Sequence, residues 1–182
     1  MQSLSFKYKF LIFVGLLIFA VLGRLLPHLW NMTPVFAVLF FLTYFLGFRY
    51  SFFAGFIIMT VSDYFIGFYE IKVMLSVYAA FIISSLVAFL TKQGRSYHKI
   101  LLLSVLGSLI FYFITNSAVW LFTPYYSPDI SGLAQSLLAG LPFLKNSILG
   151  NAFYSMLLFA LYDFYLYLSS KNYFLVRQGA RL

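Results

Sequence analysis

Six stretches of this chain are apolar enough for hydrocarbon and long enough, or nearly so, to cross a bilayer. A spanning helix needs about 20 largely apolar residues to cover about 30 Å. Residues 6–26, 34–48, 52–69, 73–90, 100–122 and 148–169 approach or meet that length. Hydrocarbon offers the backbone no hydrogen-bond partners, so such stretches fold as helices that satisfy their own amides. Composition leaves no soluble alternative: 63% of the 182 residues are hydrophobic and only 9% are charged. A soluble domain carries about 25% charged residues. The expectation is therefore an all-α integral membrane protein, a single domain over residues 1–182 with six transmembrane helices. Disordered, collagen-like and free nucleic-acid-binding classes are excluded, because each needs a composition this chain lacks.

The second stretch is the shortest, at about 22 Å of helical rise. Its start is marked by Thr33, a capping side chain, and by Pro34, whose missing N–H costs nothing at the first helical position. The first stretch has the look of a signal peptide, with Lys7 and Lys9 before an apolar run. With five further stretches behind it, it reads as helix one.

The formal net charge of +8 reports topology. Lys7, Lys9, Arg49, Lys92, Arg95, Lys99, Lys171, Arg177 and Arg181 fall on one side, against Arg24, Lys72 and Lys145 on the other. Nine bases against three put both termini in the cytoplasm, and six spans agree with that parity. The acids run the other way, since Asp63, Glu70 and Asp129 fall toward the outer side and only Asp163 toward the inner. The outer end is thus polar but balanced.

Most links between stretches are short, but residues 123–147 form a long fifth connection. Within it Leu133, Leu137 and Leu138 stand at helical spacing over 131–140, which predicts a short extracytoplasmic helix. It reads equally as a lid over a pocket or as an amphipathic helix resting in the interface.

An ionisable side chain inside a span is costly unless paired or wetted, so each is a candidate for function. Asp63 lies about 9 Å inside the outer end of span three, with Glu70 seven residues on along the same face. It reads either as a ligand contact or as the partner of Arg24, which ends span one. Arg24 itself suits a carboxylate or phosphate, or snorkels to the interface. His28 reads as an interfacial hydrogen-bonding residue. Asn116 and Trp120 are four apart on one face of span five, an amide one turn below an indole. They suit a ligand, whereas the bland readings are helix glue for the amide and an aromatic belt for Trp30 and Trp120. Asn146 and Asn151 near the start of span six invite the same choice. Ser84 with Ala88, and Ser104 with Ser108, have the spacing of close helix packing.

There is no cysteine, and with only two histidines neither a thiolate nor a histidine-rich metal site is expected. The chain contains no GxxxxGK[ST], HExxH or GxSxG motif, so no ATP hydrolysis through a P-loop, no catalytic residue and no cofactor are expected.

Arg24 with Pro27-His28, Asn31 to Val35, Ser62-Asp63 with Gly67, Thr115-Asn116 with Trp120, and Gly132-Leu133 leading to Leu141-Pro142-Phe143 and Asn146 together carry a resemblance. In that order they resemble a family of small, uncharacterised bacterial membrane proteins, which in layout is similar to the substrate-binding S components of energy-coupling factor (ECF) vitamin transporters. The resemblance implies a compact six-helix fold in the bacterial cytoplasmic (inner) membrane, with a small-molecule pocket opening outward. It also implies dependence on a transmembrane coupling subunit and ABC-type ATPases, so the partners are the bilayer, a small ligand and that machinery, with no nucleic acid. The residues assigned to the pocket are Arg24, Asn31, Asp63, Asn116, Trp120 and Asn146. The rival expectation is a non-catalytic scaffolding subunit of the MreD type, in which those polar groups pair with one another.

Overall fold

The computed structural model of the protein describes residues 5–91 and 96–179, with side chains to residue 169. It contains six helices: α1 (Phe6–Leu25), α2 (Val35–Phe45), α3 (Phe48–Ile66), α4 (Ile71–Leu90), α5 (Tyr97–Phe122) and α6 (Ile130–Gly179). No strand occurs among the described residues. Of the bases used to orient the chain, Lys92, Arg95 and Arg181, and the side chains of Lys171 and Arg177, lie outside the described residues.

Four of these helices, α1, α4, α5 and the segment Ile130–Ser169 of α6, are long and apolar enough to cross a membrane. The burial pattern agrees with that construction. Large apolar side chains point outward, among them Phe65 at 67% exposure and Leu90 at 67%, while Ser62, Ser84, Ser104, Ser108 and Ser155 are buried. Such a surface suits lipid and not water. Several of the buried serine hydroxyls turn back on their own helices: Ser84, Ser104 and Ser108 each donate to the carbonyl four residues back, whereas Ser51, Ser85 and Ser155 have no partner among the described residues. That leaves slender faces on which helices pack closely.

The centre of the bundle is α2. At 11 residues it is too short to span, about 16 Å, and every side chain from Val35 to Thr43 is buried. It packs against all five other helices. One side joins Val35, Val38, Leu39 and Leu42 to Ala54, Ile58 and Met59 of α3. The other joins Phe36, Phe40 and Phe41 to Ile100, Leu103 and Phe159 of α5 and α6. Two glycines permit this depth, because a Cβ on Gly107 would strike the Phe36 ring and one on Gly23 would strike Pro34.

The start of α2 differs from expectation by one residue. Pro34 is the cap rather than the first helical residue, and no side chain, Thr33 included, caps the helix. Pro34 still opens it, since its carbonyl accepts from the Val38 amide at 3.0 Å. Asp63 and Glu70 do not share a helix face. The first helix of that pair ends at Ile66, where Gly67 takes φ +108, a left-handed value that favours glycine. Glu70 instead caps α4, accepting from the Val73 amide at 2.8 Å.

The larger difference is at the fifth connection. Residues 131–140 are helical as expected, but they run without a break through Pro142 into α6. Asp129 starts this helix: its carboxylate accepts from the Gly132 amide at 2.7 Å and the Ser127 hydroxyl at 2.9 Å. These bonds hold the Asp129 carboxyl below its usual range. Ser136 donates to the Asn116 carbonyl at 2.8 Å and Tyr112 donates to the Leu137 carbonyl at 2.6 Å. These bonds fasten the segment before Pro142 to α5; they do not reach the Leu138 carbonyl, whose amide partner Pro142 removes.

Candidate functional site

At the end of the bundle where α1, α3 and α5 finish, the shortness of α2 leaves a partly open cavity of about 480 Å³. That is within the range of small-molecule pockets, about 300–1,000 Å³. Its roof is the connection between α1 and α2, which contributes Pro27, His28, Trp30, Asn31 and Thr33. Phe36, Phe81 and Phe111 supply aromatic wall, Met59 and Tyr69 flank it from the α3 side, and Ser147 and Asn151 reach it from α6. The roof is seated on close approaches. Met32 lies against Gly150 of α6, where an added Cβ would come within 2.8 Å of it, and Trp30 meets Phe143 edge-on at 6.2 Å between centroids. Asn31 holds φ +61, a left-handed conformation that asparagine tolerates better than most residues.

Arg24 is the ionised side chain in this wall. Its Nη2 donates to Asp63 Oδ1 at 2.8 Å, and its Nη1 donates to Ser62 Oγ at 2.7 Å and approaches Met59 Sδ at 2.8 Å. Three of the five N–H groups of a guanidinium are thereby engaged. The Nε–H and the second Nη2 N–H have no partner among the described residues. Behind it Asp63 is 1% exposed and accepts from Tyr78 Oη at 2.9 Å through its other oxygen. Arg24 and Asp63 thus form a buried, hydrogen-bonded ion pair whose guanidinium end faces the space. Tyr69, in the link between α3 and α4, has its phenol pushed up to about 12, first by loss of water around it and then by the Asp63 carboxylate. It is a neutral hydrogen-bonding group at any ordinary pH.

The residues singled out in the sequence divide. Arg24 and Asn31 line the cavity, and Asp63 stands behind Arg24 as its partner. Asn116 turns back on its own helix, donating to the Tyr112 carbonyl at 2.8 Å, with its amide packed on Gly140. Trp120 donates to the Ser127 carbonyl at 2.9 Å and so ties the end of α5 to the approach of α6. Neither lines the cavity, and Asn146 does not either. Asn151 does, one turn further along α6; its Nδ2 donates to Ser108 Oγ at 2.8 Å and its Oδ1 is unengaged. The signal for it was present: Ser147, Asn151, Ser155 and Phe159 are four apart and all buried, which identifies the inward stripe of α6. His28 donates from Nδ1 to the Leu26 carbonyl at 2.6 Å, leaving Nε2 as an acceptor.

An apolar exterior, four helices able to cross a bilayer and polar groups gathered inside define the class, an all-helical protein of the membrane-spanning kind. Over residues 4–173 the chain matches a family of unknown function, DUF6580, and it belongs to that family. No curated protein and no solved structure matches it.

Proposed function

We propose that the protein is the substrate-binding membrane subunit of a small-molecule uptake system, similar in layout to the S components of ECF transporters. The cavity beneath the α1–α2 connection holds the ligand. In this reading six membrane passages place both termini in the cytoplasm of a bacterial cell, and the cavity opens outward. The role is non-catalytic, and energy comes from a separate coupling subunit with ABC-type ATPases. The observation that carries the proposal is a cavity of about 480 Å³ whose wall combines aromatic rings with a guanidinium retaining two unspent N–H groups. A polar group with free donors at an apolar cavity wall is the usual construction of a ligand site.

Thermal-shift screening of the purified protein against vitamins, nucleobases and amino-acid derivatives tests it. A ligand that stabilises the wild type and loses its effect in Asn151→Leu and Phe111→Ala is expected. A screen in which nothing stabilises the protein overturns the proposal.

One observation favours a second reading, a scaffolding subunit of the MreD type. Arg24, Asp63 and Tyr78 satisfy one another as a scaffold's buried polar groups would. Co-purification in mild detergent separates the two: morphogenesis proteins support the scaffold, and ABC-type ATPases support uptake.

A further inference from the structure

The charge of the cavity wall bears on what it can hold, provided the substrate-binding reading above is right. Arg24 presents a cation to the cavity, but Asp63 lies 2.8 Å behind it and cancels that charge. Apart from Arg24, the wall contains no Lys, Arg, Asp or Glu among the described residues. An anion entering this space would leave the site with one uncompensated negative charge in surroundings formed of phenylalanine and lipid, where isolated charge is expensive. An uncharged ligand leaves the balance undisturbed. The unspent groups are also of mixed kind. Arg24 Nε–H and Nη2–H are donors, whereas Asn151 Oδ1 and His28 Nε2 are acceptors. A carboxylate answers only the donors, whereas a carboxamide answers both, with its carbonyl to the guanidinium and its N–H to an acceptor. The rings of Phe36, Phe81, Phe111 and Tyr69 supply flat apolar surface for a conjugated ring system.

We infer that the ligand is an uncharged, planar aromatic molecule of about two fused rings carrying an amide-type group, and that Asp63 sets this preference by neutralising Arg24. Asp63 is here a specificity-determining residue that acts through Arg24 without touching the ligand. Its replacement by asparagine keeps the shape and one acceptor oxygen for Arg24, puts an N–H donor where Tyr78 now donates, and removes the balancing charge. The wall then has a net positive charge, and an anion becomes the ligand that restores neutrality.

The experiment uses two matched probes, 2-naphthamide and 2-naphthoate, titrated at pH 7.5 into the detergent-purified full chain and its variants, with thermal shift and equilibrium binding as readouts. The wild type is expected to prefer the amide by about tenfold or more, and Asp63→Asn to reverse that order. The double variant Arg24→Gln/Asp63→Asn, whose wall is neutral again, is expected to restore the amide preference. A wild type that binds the carboxylate as well as or better than the amide overturns the charge argument while leaving the substrate-binding reading intact. A folded Asp63→Asn protein that keeps the wild-type order overturns the role of Asp63. If Asp63→Asn does not fold, the wild-type order and the double variant decide. Silence of both probes overturns the ligand class, and the broader screen above then decides whether the cavity binds any ligand.

Discussion

Removing the Asp63 carboxylate should cost about as much as truncating a buried core phenylalanine, and the structure sets its size. Asp63→Ala strands two groups at once: the Arg24 guanidinium, whose side chain is 16% exposed, and the Tyr78 hydroxyl, on a residue 8% exposed. Breaking a buried ion pair from one side costs about 3–5 kcal/mol, and orphaning a buried hydroxyl costs about 1–3 kcal/mol. These figures do not add fully, because the guanidinium borders a cavity that water can enter and so recovers part of its solvation. The expected loss is about 3–4 kcal/mol. Removing both charges in shape-matched form, Arg24→Met/Asp63→Leu, should cost only about 1–2 kcal/mol, since it leaves just the Tyr78 hydroxyl without its acceptor. Reversible unfolding of the wild type, Arg24→Met, Asp63→Leu and the double variant in mixed detergent micelles measures the cycle, with Asp63→Ala alongside. If Asp63→Ala costs less than about 1 kcal/mol, or the double variant costs as much as the two singles together, the pair is not the buried, mutually dependent unit described here.

Other outcomes follow from local geometry. Gly107→Ala drives a methyl into the buried Phe36 ring and should cost about 1–3 kcal/mol by overpacking, read as a lowered midpoint in the same assay. Gly150→Ala brings its methyl within 2.8 Å of Met32 Cγ and 3.0 Å of Met32 Cα, so it should shift the α1–α2 connection and lower the midpoint as well. Asp129→Ala should lower the melting temperature by removing the cap of α6. The carboxyl of Asp129 ionises more readily in the folded protein, so its contribution is present above about pH 4 and disappears as acid protonates it; Asp129→Asn should flatten that part of the acid profile. Tyr69 has the opposite sign. Its phenol is raised to about 12, so its contribution is complete below about pH 10 and is lost as pH rises from there, and Tyr69→Phe should remove that alkaline slope from a melting curve.

Helix positions were legible in the sequence wherever apolar length alone decides them. The stretches at 6–26, 73–90 and 100–122 correspond closely to α1, α4 and α5. Boundaries failed where a side-chain bond or a proline decides instead. Glu70 looked like an acid on the same helix face as Asp63, whereas one accepted bond from the Val73 amide makes it a helix start. The short helix expected over 131–140 is instead the first part of α6, which continues through Pro142. The ionic half of the site was legible because a charge inside a span has few roles available, and Arg24 and Asp63 do meet. Of the asparagines, Asn31 does line the cavity, but Asn116 and Asn151 could not be told apart. Asn116 and Asn151 have the same chemistry, and only the rotation of each helix about its axis decides which one turns to its own backbone and which reaches the cavity.

The cavity itself follows from a mismatch of lengths that no single residue announces. α2 covers about 16 Å, roughly half the rise of α1 or α4, yet it occupies the middle of the bundle and touches every other helix. A central helix of half length cannot fill a bundle of full-length neighbours, so space must open at one of its ends or be closed there by other chain. At its C-terminal end it turns through Gly47 directly into α3, and Phe41 and Phe45 pack there against Phe159 and Tyr162. At its N-terminal end the chain arrives instead through the irregular connection from α1, which cannot pack like a helix and covers the space as a roof. The polar groups of the site flank that end of α2: Arg24 lies in the last turn of α1, next to the Gly23 that meets Pro34, and Asn151 lies on α6. The absence of helix above Pro34 is therefore the structural origin of the site. Filling the space from its wall while leaving the 27–33 connection intact, for instance by Val77→Phe, should abolish ligand binding. A variant so filled that still binds ligand would place the site elsewhere.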